Sequence, residues 1–117
     1  MPAPLERDRQ YQDKFRDEEF FLVVDFSGRL PPGVTVAPRG AGHTVTFYRV
    51  SDGLDMTSTL CDITTLEPDP TNTALQVNML PTAVGTEDLY RASFKAKTTA
   101  AVQDFEVMTV WVRVRSQ

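Results

Sequence analysis

The strongest constraint on this chain is its last stretch, Gln103 to Arg115, which reads QDFEVMTVWVRVR. Dense in β-branched and aromatic residues and free of Gly and Pro, it predicts a strand. Side chains along a strand switch faces with a period of two. Met108, Val110, Val112 and Val114 therefore share one face, and Phe105, Val107, Thr109, Trp111, Arg113 and Arg115 share the other. The first face is wholly apolar. The second is apolar up to Trp111 and then charged, which predicts a strand whose far end lies at a sheet margin or meets a partner. Such a strand needs neighbours along its edges and a second layer over its aliphatic face.

The rest of the chain supplies candidates for both roles. Phe20 to Phe26 places Phe20, Leu22, Val24 and Phe26 on one face. Pro31 and Pro32 lie in an extended, turned linker, because Pro locks φ and restricts the residue before it. A short strand over Val34 to Ala37 is closed by Pro38, and Arg39 to Gly42 reads as an exposed loop. Thr44 to Val50 predicts another strand, turned by Ser51, Asp52 and Gly53 into a hairpin with Met56 to Leu66. Glu67 to Asn72 ends that hairpin, since two prolines one residue apart cannot continue a ladder. Ala74 to Leu80 alternates Leu75, Val77 and Met79 against Gln76 and Asn78. Leu89 to Thr98 turns Tyr90, Ala92, Phe94 and Ala96 inward and Arg91, Ser93, Lys95 and Lys97 outward, forming the C-terminal hairpin with the last strand.

Met1 to Glu19 differs in kind. Its charges are interleaved and it has no apolar face, so it reads as a charged N-terminal arm rather than a strand. The alternative to a solvated tail is a segment that orders against another subunit, with Leu5, Tyr11 and Phe15 as its anchors. About seven short strands with no helical period after Glu19 predict an all-β fold, an Ig-like antiparallel β-sandwich over residues 20–117 preceded by the arm over 1–19. At 117 residues, 41% of them apolar and 24% charged, one compact soluble domain is expected.

Chemistry is sparse in these residues. Cys61 is the single cysteine, which excludes an internal disulfide and reads as a small half-buried strand residue. His43, the single histidine, follows Gly42 at a strand start and reads as an exposed loop residue with no catalytic or metal-ligating partner at a suitable spacing. Glu67 with Asp69, Asp52 with Asp55, and Glu87 with Asp88 read as turn and loop acids, although the first two pairs offer oxygen ligands of the kind Ca²⁺ takes. No enzyme, cofactor or metal is expected. A net charge of −4 disfavours nucleic acid, whose binding rests on clustered Lys and Arg. No apolar run reaches the roughly 20 residues that span a bilayer, and MPAPLERDRQ lacks the apolar core of a secretion signal, so a soluble, reducing compartment is expected.

The surface remains. Trp111, Tyr48, Phe47 and Phe21 are large residues of which most should be core. Should several share an outer sheet face, that face becomes a candidate interface, because aromatic anchors dominate binding energy. An exposed Trp and Tyr pair would equally suit a sugar ring.

The pattern DFSGRLPPGVTVA at Asp25 to Ala37, with DLYRASFKAKTT and DFEVMTVWVRV between Asp88 and Val114, resembles small Ig-like β-sandwich proteins of tailed bacteriophages. It departs from them in having no Cys pair and in its Gly-rich loop between Val34 and Val50. The resemblance implies an accessory virion component, such as a head decoration protein, a head fibre or a tail-associated module, made in the host cytoplasm and located in the virion. Its implied partners are the major capsid protein, other virion subunits or further copies of itself. The expected function is non-enzymatic binding and stabilisation of the capsid lattice, with Leu5, Tyr11, Phe15, Pro31, Pro32, Arg39 and His43 as contact residues. The alternatives are a carbohydrate-binding or host-adhesion module and a tail or baseplate-associated protein.

Overall fold

The computed structural model describes residues 9–101 and 105–116. Seven strands run in the order β1 (Arg9–Phe15), β2 (Phe20–Asp25), β3 (Thr44–Arg49), β4 (Cys61–Pro68), β5 (Ala74–Met79), β6 (Asp88–Lys97) and β7 (Phe105–Arg115). They form two sheets, one of four strands ordered β1-β7-β6-β3 and one of three ordered β2-β5-β4. All pairings are antiparallel except β1 with β7. This is the strand order of an immunoglobulin-type sandwich whose first strand has joined the sheet of the last.

Alternation accounts for the core. Leu22, Val24, Leu75, Val77 and Met79 from one sheet meet Tyr90, Ala92, Phe94, Ala96, Val110, Val112 and Val114 from the other, all buried. Phe47 on β3 is also buried and meets Phe94 edge to face, with ring centroids 6.1 Å apart. Each buried Leu, Val, Met or Phe side chain among them contributes on the order of 1.5–3 kcal/mol by leaving water, and the alanines less. At the β5–β6 corner the buried Tyr90 hydroxyl donates to the Thr86 carbonyl at 2.7 Å, the tyrosine corner of Ig-like folds. Ala92, two residues on, stands where disulfide-linked members carry a cysteine.

Three local expectations are corrected. Arg9–Phe15 is a strand, in register with Thr109–Arg115 along β7, rather than part of an arm outside the sheet. Its inward side carries Gln10, Gln12 and Lys14, so no apolar alternation betrays it. Lys14 is only 1% exposed, and its Nζ donates to the Phe15 and Arg16 carbonyls at 3.0 and 3.2 Å. Burial lowers its pKa, opposed by the Glu18 and Asp17 carboxylates.

The turn after β3 does not build a hairpin with β4. Gly53, at φ 74, turns the chain back only as far as Asp55, which bridges Tyr48. The Asp55 carboxylate then accepts from the Thr57 N–H at 3.0 Å and from its hydroxyl, while Thr57 Oγ1 accepts from the Phe47 N–H at 2.9 Å. A one-turn helix, Thr57–Leu60, carries the chain across the core to the opposite sheet. Val34 to Ala37 is likewise a strap rather than a ladder strand. The Val36 N–H donates to the Asn72 carbonyl and that of Ala37 to the Lys97 carbonyl, both at 2.8 Å, so the segment ties one sheet to the other.

Candidate functional site

Pairing across the four-stranded sheet lines up one residue from each strand. Tyr11 lies opposite Trp111, Trp111 opposite Arg91, and Arg91 opposite Tyr48. Each alternates with inward-facing neighbours, so all four belong to the outer face of the sheet. Directly paired residues of neighbouring strands are close enough to interact. The Tyr11 and Trp111 rings lie 6.5 Å apart, centroid to centroid, with planes inclined by 19°. Tyr11 is 66% exposed and Tyr48 39%, while Trp111 is half-buried between its neighbours. The indole Nε1 is buried without a hydrogen-bond partner among the described residues.

Cations flank this row on both sides. Towards one end Lys95 pairs with Val107 and Lys97 with Phe105, and the two ammonium groups stand 4.3 and 4.8 Å from the centre of the Phe105 ring. Towards the other, Arg113 pairs with Asp13 and Arg115 with Phe15, and Arg115 Nε donates to Asp13 Oδ1 at 3.1 Å. A shallow depression of about 260 Å³ opens beside Trp111, lined by Tyr48, Arg49, Val50, Gly53 and Arg91. Arg49 is committed at its rim: Nε and Nη2 donate to the two Asp52 oxygens at 3.0 and 2.7 Å. That pairing holds Asp52 down to about 2 and raises Arg49 above its ordinary value. Arg91 has no such partner among the described residues.

The contact residues read from the sequence divide over this architecture. Tyr11 and Phe15 lie on the outer face of β1, while Leu5 falls outside the described residues. Pro31 and Pro32 lie in the loop before the strap, remote in pairing from the aromatic row. Arg39 and His43 come together at a second shallow cavity of about 310 Å³ with Ile63, Thr64 and Leu66. His43 is not a free loop side chain. The Lys97 N–H donates to Nδ1 at 3.0 Å, which leaves the proton on Nε2, and Nε2 donates to the Ala37 carbonyl at 2.8 Å. Arg39 is paired too, with Glu67 at 3.5 Å and with the Thr64 carbonyl.

Of the four aromatics left open by the sequence, Trp111 and Tyr48 share the outer face, Phe47 is core, and Phe21 is exposed on the opposite sheet. Arg91, Lys95 and Lys97 were legible as outward residues. Their alignment with Tyr11 was not, because it depends on register with a strand that has no apolar signature. Cys61 is buried, which pushes its thiol up to about 12. Among the described residues no group of three or more His, Cys, Asp or Glu could hold a metal ion.

Planar rings, guanidinium and ammonium groups on this face offer stacking, charge-assisted hydrogen bonds and apolar area, with no nucleophile and base placed together among them. No protein-family model matches the sequence, and no curated protein matches it.

Proposed function

We propose that this chain is a non-enzymatic virion structural protein that binds the capsid lattice or another virion subunit through the outer face of its four-stranded sheet. The observation that carries the docking role is the row Tyr11, Trp111, Arg91 and Tyr48, two exposed tyrosines, a half-buried indole and an uncommitted guanidinium side by side on one sheet. Tyr, Trp and Arg are the residue types that dominate interface energies. The phage assignment rests on the resemblance at Asp25 to Ala37 and Asp88 to Val114. A protomer that bridges neighbouring capsid subunits adds interface only in the assembled state, so it stabilises assembly by linkage.

The test is co-sedimentation of the full chain with assembled particles. Wild type should bind at a fixed copy number per capsid subunit, and Arg91→Glu combined with Tyr48→Ala should weaken binding at least about tenfold, since loss of an interface anchor costs about 2 kcal/mol or more. Unchanged binding by a folded double variant would sink the reading. A second reading, an adhesion module for carbohydrate, is favoured by the depression where Trp111 and Tyr48 flank Arg91. Glycan-array binding abolished by Trp111→Ala would move the assignment there.

A further inference from the structure

We infer that the basic aromatic face docks onto the opposite, acidic sheet face of a second copy of this chain, so that protomers stack head to tail. The inference rests on the reading of that face as a docking surface and names its partner. Among the described residues the four-stranded sheet presents Arg91, Lys95, Arg113 and Arg115 outward against a single carboxylate, Asp13. The chain as a whole is acidic, at −4, so the compensating carboxylates lie elsewhere.

Many lie on the other sheet. Asp25 on β2, Asp62 and Glu67 on β4, and Glu19 just before β2 decorate its outer side, where Asp62 pairs with Asn78 and Glu67 with Gln76. Glu19 Oε2 accepts from Asn78 Nδ2 at 2.8 Å, which places it on the same surface. Among the described residues of that surface, Glu67 meets a cation, Arg39. Asp25 and Asp62 accept from nearby backbone N–H groups, at Ser27 and Thr64, and these bonds leave their charge unneutralised.

Each face also carries apolar surface: Tyr11, Tyr48, Phe105 and Val107 on the basic side, Phe21 and Val23 on the acidic side. A cationic face with an aromatic centre and an anionic face with an apolar centre, back to back on one sandwich, are complementary between copies. They cannot meet within one copy. Because two different faces meet, the contact is heterologous and propagates as an open stack or closes as a ring. The terminal copy of an open stack keeps one basic face free to meet the particle.

The experiment is sedimentation velocity on the purified full chain, separate from any particle. At low ionic strength it should form concentration-dependent oligomers that dissociate in about 1 M salt, where the Debye length falls to about 3 Å. Arg91→Glu with Arg113→Glu, and separately Asp25→Lys with Asp62→Lys, should each be monomeric. Circular dichroism checks the fold of each, and Glu19→Lys replaces the acidic-face pair if that pair does not fold. Mixing the basic-face and acidic-face variants should restore association, since each retains the face the other lacks.

A monomer at every salt and concentration would overturn the inference while leaving particle binding open. So would association lost in the basic-face variant and untouched by the acidic-face variant, the signature of a symmetric dimer. Tight binding of a labelled oligothymidine by an otherwise monomeric chain would give the face to single-stranded nucleic acid and overturn it as well.

Discussion

Replacing Tyr90 by Phe tests whether the buried hydrogen bond from its hydroxyl to Thr86 holds the corner between β5 and β6. The ring is wholly buried, and its hydroxyl donates to the Thr86 carbonyl at 2.7 Å. Phe retains the ring's packing and removes the donor, leaving a carbonyl in a site shielded from water. Stranding one buried partner costs about 1–3 kcal/mol. Unfolding entropy near 2.1 cal/mol/K per residue gives about 0.25 kcal/mol/K for this chain, so a loss of about 2 kcal/mol lowers Tm by about 8 °C. The assay is guanidinium unfolding followed by Trp111 fluorescence and far-ultraviolet circular dichroism, in which the midpoint should fall at unchanged slope. Tyr48→Phe, which removes an exposed hydroxyl, is the control and should stay within about 0.5 kcal/mol of wild type. If Tyr90→Phe does the same, the corner is not fixed by this bond, and the reasoning from burial to stability fails there.

Burial that pushes the Cys61 thiol up to about 12 predicts no labelling by a disulfide reagent at pH 8 while the chain is folded, and stoichiometric labelling in denaturant. Rapid labelling of native protein would show that the strand entry at Cys61 opens readily. Hydrogen bonds to Arg49 and to Thr57 lower the carboxyl pKa values of Asp52 and Asp55 in the fold. The folded state thus holds fewer protons than the unfolded one near pH 4. Stability from these groups is full above about pH 4 and is lost as pH falls towards about 2. A Tm series should show this slope, and Asp52→Asn should flatten it; an unchanged slope would exclude Asp52 as a contributor. Phe47→Ala, which empties a site packed edge to face against Phe94, should cost about 3–5 kcal/mol in the same denaturation assay. A cost below about 1 kcal/mol would show that β3 is peripheral to the core.

Sequence alternation located the core wherever a strand has one apolar face. Leu75, Val77 and Met79, the Tyr90 to Ala96 set, and Met108 to Val114 all point inward as the pattern requires. The pattern failed where burial is not apolar. β1 pairs on one side only and presents Gln10, Gln12 and Lys14 to the interior, so its place in the sheet comes from backbone hydrogen bonding to β7 rather than from hydrophobic burial. An inward charge on an edge strand also discourages further strands from adding there. The false hairpin has a different cause. Asp52 and Gly53 do make the tight turn, but turn chemistry fixes only the next few residues, and the burial of Leu60 and Cys61 carries β4 into the other sheet. The candidate face was half legible for the same reason: outward orientation is local information, whereas Tyr11 meets Trp111 across a sequence separation that no local pattern encodes.

The strands that build this face divide their labour by parity. On β6 and β7 every second side chain is committed to the core, where volume and polarity are constrained by close packing. The intervening side chains touch only their cross-strand neighbours and solvent, so a change there seldom costs more than about 0.5 kcal/mol of stability. Had only solubility acted on them, short or scattered polar residues would serve. Instead the outward positions of β7 hold Phe105, Val107 and Trp111 beside the Arg and Lys of β6, and β1 contributes Tyr11 and Phe15 without supplying any apolar core residue. Edge strands ordinarily reduce exposed apolar surface. A strand that adds exposed aromatics to a face already rich in them, while giving nothing apolar to the interior, is the arrangement that the proposed docking role requires.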